Sequence, residues 1–481
     1  MERSKVAADK DVELVTSPLV IPGTGRKIIA DILSHRYEKV FPKNRPGGIL
    51  QSLSFEIEPS EKELTDLQDT FIYFRWCIKS QNNDGSLKAI PSETFTEEKD
   101  KDGILTGVIK FTNNKELVVA EPAAPLSIFQ DVYLTINDVP FPAHTQGLYF
   151  YSLYWRLLLE STQIARNTSL RTTSNFVPRE PGFFDQLNPS INSANRSLMH
   201  LNSLTRASRD AETLIPFLND WTSFRRALPP RTKLDVTLDR ARCLQYIMSS
   251  ETNDNKTFDI EIKDAYLIVK RLTLEPQALS QYNSILARSP APFPYIGRRM
   301  RAFDIPKSSL AFEFDVGSQG TDLPFLIRFG LVQKIAFDGT YKKSVYKFER
   351  FGLQQIRVKE SNGFISTELN LMIPNDSNSL TSGNLPAFTD GGFSTDQWMQ
   401  KGASLSEIEF NNGYAIYTLD LSRSSTAKDD DPDLQSAPRR EKVSVILDFS
   451  GKLDNDVVLI LEEQSNKVMW VGGDKSSPSF D

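Results

Sequence analysis

The stretch "TFDIEIKDAYLIVKRLTLEP" (residues 257–276) decides the fold class, and its pattern changes halfway along. Its first half, "FDIEIK", alternates apolar and charged residues, which is typical of a strand with one buried and one solvated face. Residues 265–269, "AYLIV", are then apolar at every position, which predicts a strand covered on both faces. The sequence leaves two sources open for the second cover: the rest of the chain, or another copy of it.

Similar strand patterns occur on both sides of this stretch. Upstream lie "LSFEIE", "TFIYFRWCIKS", "DVYLTINDVPFP" and "KLDVTLDRA"; downstream lie "SLAFEFDV", "FLIRFGLVQKIAFDGTY", "FGLQQIRVKE", "GYAIYTLDLS", "KVSVILDFS" and "VVLILEE". The alternating helices of βαβ units are missing. The chain therefore reads as two successive all-β halves of about 220 residues each, as sandwiches or barrels would give.

The segments between the strands carry four further predictions. "IIADILSHRYEKVF" (28–41) reads as a short helix within an N-terminal arm, and "LYFYSLYWRLLLESTQIA" (148–165) as a buried helix, because it is apolar over most of its circumference. The polar residues 166–210 read as a long loop, functional or disordered. "SPAPFPYIGRR" (289–299) is proline-rich and reads as a connector.

Composition excludes several classes of protein. The 481 residues carry a net charge of −6, which argues against a protein that mainly neutralises phosphate. Only Cys77 and Cys243 are present, so we expect no disulfide framework and a reducing compartment. No apolar run reaches the roughly 18 residues that a membrane-spanning helix needs. The charged start, "MERSKVAADKDVELV", lacks the apolar core of a signal peptide.

A search for metal and phosphate chemistry finds no motif. His35, His144 and His200 have no second His or Cys at a ligand spacing, and the acidic residues 429–431 lack the calcium-loop pattern. "GTGRK" (23–27) has neither the spacing nor the strand–turn–helix context of a phosphate loop. We therefore predict no catalytic residue, no cofactor and no metal site.

Carboxylates and arginines leave two alternatives open. Glu349, Glu360 or Asp315 in a cleft would suit a glycosidase, although outward-facing strand positions explain them better. "RRALPPR" and the arginines of the polar stretch would form a basic patch, without the interleaved aromatic residues that single-stranded nucleic acid requires. These arginines are Arg166, Arg171, Arg196, Arg206 and Arg209.

The order of several segments carries a resemblance to a known family. "IEIKDAYLIVKRLTLEP", "FPYIGRRMRAFDIP" and "FLIRFGLVQKIAFDGTYKKSVYKFERFGLQQIRV" follow one another, with "VYLTINDVPFP" and "LIPFLNDWTSFRRALPPRTKLDVTLDRA" upstream and "KVSVILDF" downstream. Together they resemble the major capsid proteins of Maverick/Polinton elements and adintoviruses, of the lineage that includes adenovirus hexon. The likeness runs from about residue 131 to 449.

The resemblance implies an all-β fold of two consecutive eight-stranded jelly rolls, a double jelly roll with long loop insertions and few short helices. It implies a non-enzymatic capsid protein of the virion, made in the host cytoplasm and assembled there or in the nucleus. Homotrimers of pseudo-hexameric outline would tile an icosahedral shell around double-stranded DNA. The chain would recognise no specific nucleic-acid sequence. The implied partners are neighbouring trimers, a single-jelly-roll vertex (penton) protein and minor capsid proteins.

On this basis we divide the chain into an N-terminal arm (1–45), a first jelly roll (46–274), a proline-rich connector (275–293) and a second jelly roll (294–481). Two other functions stay open: a two-module β-sandwich that binds or hydrolyses carbohydrate, and a vertex or minor virion protein. A single roll, the usual form of the latter, is short for 481 residues.

Overall fold

In the computed structural model, two β modules follow one another along the chain. The structure describes residues 32–44, 52–81, 86–90, 95–99, 101–102, 105–111, 117–142, 144–187, 196–224, 226–241, 245–250, 257–288, 290–317, 323–360, 363–371, 405–421, 442–472 and 475–480. No helix in these residues is long and apolar enough to cross a membrane.

The strands of the first module are β1 (Ile32–Val40), β2 (Ser52–Ile57), β3 (Glu63–Gln81), β4 (Leu87–Ala89), β5 (Phe95–Lys99), β6 (Leu105–Phe111), β7 (Val118–Ala120), β8 (Phe129–Ile136), β9 (Val139–Pro140), β10 (Ala211–Pro216), β11 (Leu234–Arg240), β12 (Ile247–Ser249) and β13 (Thr257–Leu274). Those of the second are β14 (Ala291–Ile305), β15 (Ala311–Val316), β16 (Leu326–Gln333), β17 (Leu353–Glu360), β18 (Ile365–Asn370), β19 (Ile416–Asp420), β20 (Val443–Phe449), β21 (Val457–Gly472) and β22 (Lys475–Phe480).

Both modules have the same strand order. The first pairs β1-β13-β3-β10 in one sheet and β2-β11-β8-β9 in the other, while β4 extends the first sheet and β5–β6 and β7–β12 form small separate sheets. The second pairs β14-β21-β16-β19 and β15-β20-β17-β18, with β22 added to β21. Counted within each module, the main strands run 1-8-3-6 and 2-7-4-5. Two eight-stranded jelly rolls give this arrangement, so the predicted fold class is confirmed.

The helices are short and lie mostly in connections. They are α1 (Tyr149–Trp155), continued by a π-helical turn (Arg156–Glu160), α2 (Gln163–Asn167), α3 (Ser169–Thr173), α4 (Arg196–Thr205), α5 (Pro276–Arg288), α6 (Lys334–Phe337) and α7 (Glu407–Asn411). Three-residue and four-residue 3₁₀ turns occupy Leu126–Ile128, Arg206–Ser208 and Asp220–Ser223.

The buried side chains divide into two main cores. One fills the second roll alone, between its two sheets. The other fills the first roll and continues, through α1, to the outer face of the β14-β21-β16-β19 sheet. In β21, Val457 and Leu459 face the first of these cores, while Val458 and Ile460 face the other. Strand β21 is therefore covered by the chain on both faces over its first five residues, "VVLIL", which are all apolar.

Three sequence predictions need correction or refinement. Residues 32–40 form strand β1 rather than a helix, because pairing with β13 overrides local preference. The buried helix is confirmed, but it loses α-helical geometry at Arg156 and ends at Glu160. The described part of the 166–210 stretch is not an open loop: it contains α3 and α4 and buries Phe176 and Phe184.

The proline-rich sequence "SPAPFPYIGRR" runs into strand β14, which begins at Ala291. Pro292 and Pro294 are tolerated there because β14 is an edge strand of the path β14-β21-β16-β19, where missing N–H donors cost few ladder hydrogen bonds. The acidic residues 429–431, the "GTGRK" segment and Cys243 lie outside the described residues.

Candidate assembly surfaces

The joint between the two rolls has a charged half, centred on Glu160 at the end of the π-helical turn. Its carboxylate accepts from Arg298 Nη2 at 3.2 Å and Arg328 Nη1 at 3.1 Å, both from the second roll, and from Arg156 Nε at 3.3 Å. Burial opposes ionisation here, but these three guanidinium groups hold the pKa of Glu160 well below its usual range. The cluster thus links the helix of the first roll to strands β14 and β16 of the second.

Asp220 completes this charged half from another element of the first roll. It lies in the 3₁₀ turn Asp220–Ser223, and its Oδ2 accepts from the backbone N–H of Arg298 at 3.0 Å. Burial raises the pKa of Asp220 from 3.8 to about 6, although Arg298 and Arg156 act in the opposite direction. Burial and the opposing arginines thus give the two acidic groups, Glu160 and Asp220, pKa values shifted in opposite directions.

The apolar half of the joint is aromatic. Tyr154 of α1 stacks on Tyr346 with ring centroids 4.0 Å apart, and Trp155 lies 5.5 Å from Phe348. Phe348 in turn covers the backbone of Gly330 in β16, where an added Cβ would meet its ring at 2.5 Å. The helix that the sequence predicts as buried is therefore buried between the rolls.

A second aromatic contact joins the rolls at an edge strand. The ring centroid of Phe141, directly after β9, lies 5.0 Å from that of Tyr295 in β14 and 5.4 Å from that of Phe480 in β22. The fifth strand of the first roll is thereby placed against the first strand of the second.

The outer face of the β1-β13-β3-β10 sheet is a different kind of surface. Tyr266 of β13 stacks on Tyr73 with centroids 4.5 Å apart, Lys39 Nζ lies 4.6 Å above its ring, and Phe41 lies 5.8 Å away. Phe41 is 62% exposed and Tyr37 is 53% exposed. We call this surface, defined by Tyr37, Phe41, Tyr73, Tyr266 and Ile268, the outer aromatic face.

This geometry answers part of the prediction for residues 265–269. Ala265, Leu267 and Val269 are fully buried inside the first roll. Tyr266 and Ile268 point to the opposite face and are half-buried, and the ring and cation contacts described above for Tyr266 come from β1, its end and β3. The sequence predicts a strand that is buried on both faces, whereas in the structure one face is buried and the other is half-buried.

The structure does not bring the histidines and carboxylates singled out from the sequence together into one site; two of the carboxylates accept hydrogen bonds from neighbouring side chains. Asp315 accepts from Ser444 Oγ at 2.7 Å, and Glu349 accepts from Gln333 Nε2 at 3.1 Å. Within the described residues, no group of three or more His, Cys, Asp or Glu is placed to hold a metal ion. Burial, helped by neighbouring cations, lowers the pKa of His144 and of His200.

Two of the described arginines do not contribute to a solvent-facing basic patch. Arg166 is buried and donates to the carbonyl of Leu158 at 3.0 Å, and Arg226 donates to the carbonyl of Pro292 at 2.8 Å. Both therefore serve the packing of the first roll and its joint rather than a solvent-facing surface.

The charged joint is not among the sequence predictions, although the sequence carries a signal for it. Charged residues interrupt otherwise apolar runs in "WRLLLE", "FLIRFGLV" and "VVLILEEQ", and these residues are Arg156, Glu160, Arg328 and Glu462. A charge inside an apolar run is costly to bury alone, so several such runs in one chain indicate groups that pair with one another.

Comparison with known proteins gives a likeness of fold. No protein-family model and no curated protein sequence matches the chain. Among solved structures, a chain of the Sputnik virophage is similar with a TM-score of 0.57 and 13% identity, covering 94% of this chain and 89% of that one. A chain of the capsid of the virus PBCV-1 is similar with a TM-score of 0.51 and 9% identity, covering 95% of this chain and 98% of that one. The Faustovirus major capsid protein is similar with a TM-score of 0.51 and 10% identity, covering 93% of this chain and 92% of that one. The likeness spans both rolls of the chain.

Proposed function

We propose that this chain is the major capsid protein of a virion, related to those of Maverick/Polinton elements and adintoviruses. Three copies form a trimer of pseudo-hexameric outline, and trimers tile an icosahedral shell around double-stranded DNA. The observation that carries the proposal is the pair of jelly rolls with the same strand order in one chain. Three such chains present six equivalent modules, which fill a hexagonal footprint.

The joint between the rolls supports this role. The arginines of its charged cluster and its aromatic helix are buried, so the two modules behave as one rigid unit rather than as beads on a linker. A rigid unit suits a shell, where every subunit must repeat one geometry. A single-jelly-roll vertex protein and minor capsid proteins are the further partners in this proposal, and neighbouring trimers are the main one. It assigns no catalytic step.

In this proposal the chain divides into an arm (1–45), a first roll (46–274), a connector (275–293) and a second roll (294–481). One of these boundaries matters for deletion experiments. Strand β1 lies inside the proposed arm and pairs with β13 along most of its length. A deletion meant to leave the first roll intact therefore stops before Ile32.

Negative-stain electron microscopy of the purified chain tests the proposal. We expect particles of uniform size with threefold symmetry and a hexagonal outline. Two-lobed particles of single-chain size at every concentration would overturn it, and saturable binding to a glycan array would favour the carbohydrate-binding alternative.

A further inference from the structure

The two rolls share a strand order, but their corresponding sheet faces are covered differently. In the second roll, the outer face of β14-β21-β16-β19 is buried against the first roll, where Val332, Val458 and Ile460 are each at most 1% exposed. The corresponding face of the first roll is the outer aromatic face on β1-β13-β3-β10. Most of its large side chains are half-buried, and those of Tyr37 and Phe41 are exposed.

The elements that cover the second roll also have counterparts. Within the chain, Phe141 lies next to the hairpin between the fourth and fifth strands of the first roll, directly after the two-residue β9, and packs on Tyr295 in the first strand of the second roll. In the second roll, the hairpin between the fourth and fifth strands, β17 and β18, carries Phe364 at 65% exposure and Ile365 beside it.

The connection between the fifth and sixth strands shows the same contrast. In the first roll this connection contains α1, all of whose residues are buried at the joint. In the second roll its described part contains α7, on which Ile408 is 68% exposed. Most large apolar side chains that are exposed in the described part of the chain lie on β1 and its end, on this hairpin or on α7.

We propose that the outer aromatic face of one chain receives the β17–β18 hairpin and α7 of a second copy. The contact repeats between chains the relation that the two rolls have within a chain, so it is heterologous: the first roll of each copy meets the second roll of the next. Heterologous contacts close into a ring when their rotation allows. Six rolls in such a ring are three chains, so this inference rests on the proposed assembly and names the surface that forms it.

The chemistry of both surfaces suits a permanent contact. Tyrosine and phenylalanine supply large contact areas at low entropic cost, and aromatic residues are enriched among the residues that contribute most of the binding energy of an interface. Exposed apolar groups gathered on one face indicate an interaction site, whereas scattered ones need no explanation. Tyr37, Phe41, Phe364 and Ile408 are gathered on the two surfaces that the internal repeat would bring together.

Cross-linking tests which surfaces meet. In a chain with Cys243→Ser, the pair Tyr37→Cys and Phe364→Cys is treated with a short bis-maleimide, while the buried Cys77 stays in place. We expect a ladder that ends at three linked chains, and no ladder from Leu310→Cys with Phe364→Cys, since Leu310 is similarly exposed but lies on another surface. A wild-type trimer with no ladder, or with equal ladders in both variants, would overturn the inference.

Charge insertion gives an independent reading. The double variant Tyr37→Asp and Phe41→Asp should yield folded single chains, with the apparent dissociation constant raised at least about a hundredfold. Leu310→Asp should leave the trimer intact. A double variant that stays trimeric with unchanged affinity refutes the surface assignment alone, whereas a wild-type chain that never associates refutes the proposed function itself.

Discussion

At the residue scale, the alternation along β13 separates side chains that hold the fold from side chains that face outward. Ala265, Leu267 and Val269 are fully buried, whereas Tyr266 and Ile268 on the other face are half-buried. Substitutions at adjacent positions should therefore have different consequences, one kind for folding and the other for association.

Val269→Asp, or Leu267→Asp, should abolish soluble folded protein. A buried carboxylate without a partner costs on the order of 5 kcal/mol, a large part of the stability of a typical domain. Soluble yield and circular dichroism check this result. Ile268→Asp, one position away on the outer face, is the matched control and should still fold. A Val269→Asp chain that assembles like the wild type would show that this face of β13 is solvated.

Asp220 gives the joint a pH dependence of defined sign. Its pKa of about 6 lies above the ordinary value of 3.8, because burial disfavours the charged form. A carboxyl with a higher pKa in the folded than in the unfolded chain binds protons on folding. Through this group the wild type loses stability as pH rises from about 4 to about 6.

Asp220→Asn removes this titration. The free energy of unfolding of the variant minus that of the wild type should therefore increase over the same pH window, by up to about 3 kcal/mol. Unfolding in denaturant at a series of pH values measures the difference. Asp454→Asn, at an exposed position, is the control. A difference that stays constant or decreases with pH contradicts the assignment.

At the scale of elements, strands with clean alternation were predictable, including edge strands such as β2, whereas two edge strands without clean alternation were not. "KVSVILDFS" and "LSFEIE" became β20 and β2, because the alternation itself records one buried and one solvated face. Strands β1 and β14 escaped prediction: each lies at a sheet edge, where the sequence tolerates proline and irregular patterns. Their strand character comes from pairing with β13 and β21, which local sequence does not contain.

The joint between the rolls was predictable only in part. The apolar circumference of residues 148–165 indicated burial, but nothing local indicated what lies against the helix. Arg298, Arg328 and Glu160 come together from distant segments, and their pairing depends on how the rolls dock. The internal repeat likewise lies in the order of strand pairing rather than in matching residues.

Gly330→Ala should weaken the joint. A Cβ at this position would lie 2.5 Å from Phe348 Cδ1, and Phe348 is fully buried, so the ring must shift within the core. We expect a loss of about 2 kcal/mol in the free energy of unfolding, typical of an overpacked core. Thermal or denaturant unfolding measures it, with Gly451→Ala as the control because an added Cβ there meets no atom within 4 Å. Equal stability of the two variants would show that the joint repacks freely.

At the scale of the whole molecule, each chain is a pair of modules in which one sheet face is covered internally and the equivalent face of the other roll is only half-covered. In the proposed assembly a second copy covers that face, which would close three chains into a ring. The segment before β1 takes no part in this proposed ring, so its role can be tested separately from that of the rolls.

We expect the arm to be dispensable for trimer formation but necessary for contacts between trimers. Deletion of residues 1–31 should therefore leave trimers intact, because the first roll keeps β1, but prevent closed shells. Deletion of residues 1–40 is the matched comparison and should also disrupt trimers, since it removes β1. Size-exclusion chromatography and electron microscopy distinguish the two outcomes. Closed shells from the 1–31 deletion would refute the role of the arm.

The mass of the purified wild-type chain, measured by light scattering over a wide concentration range, decides whether the chain forms the proposed trimer. Self-assembly through equivalent rolls predicts the mass of three chains, which persists on dilution because the proposed contact is large and apolar. A single-chain mass at every concentration would rule out the trimer.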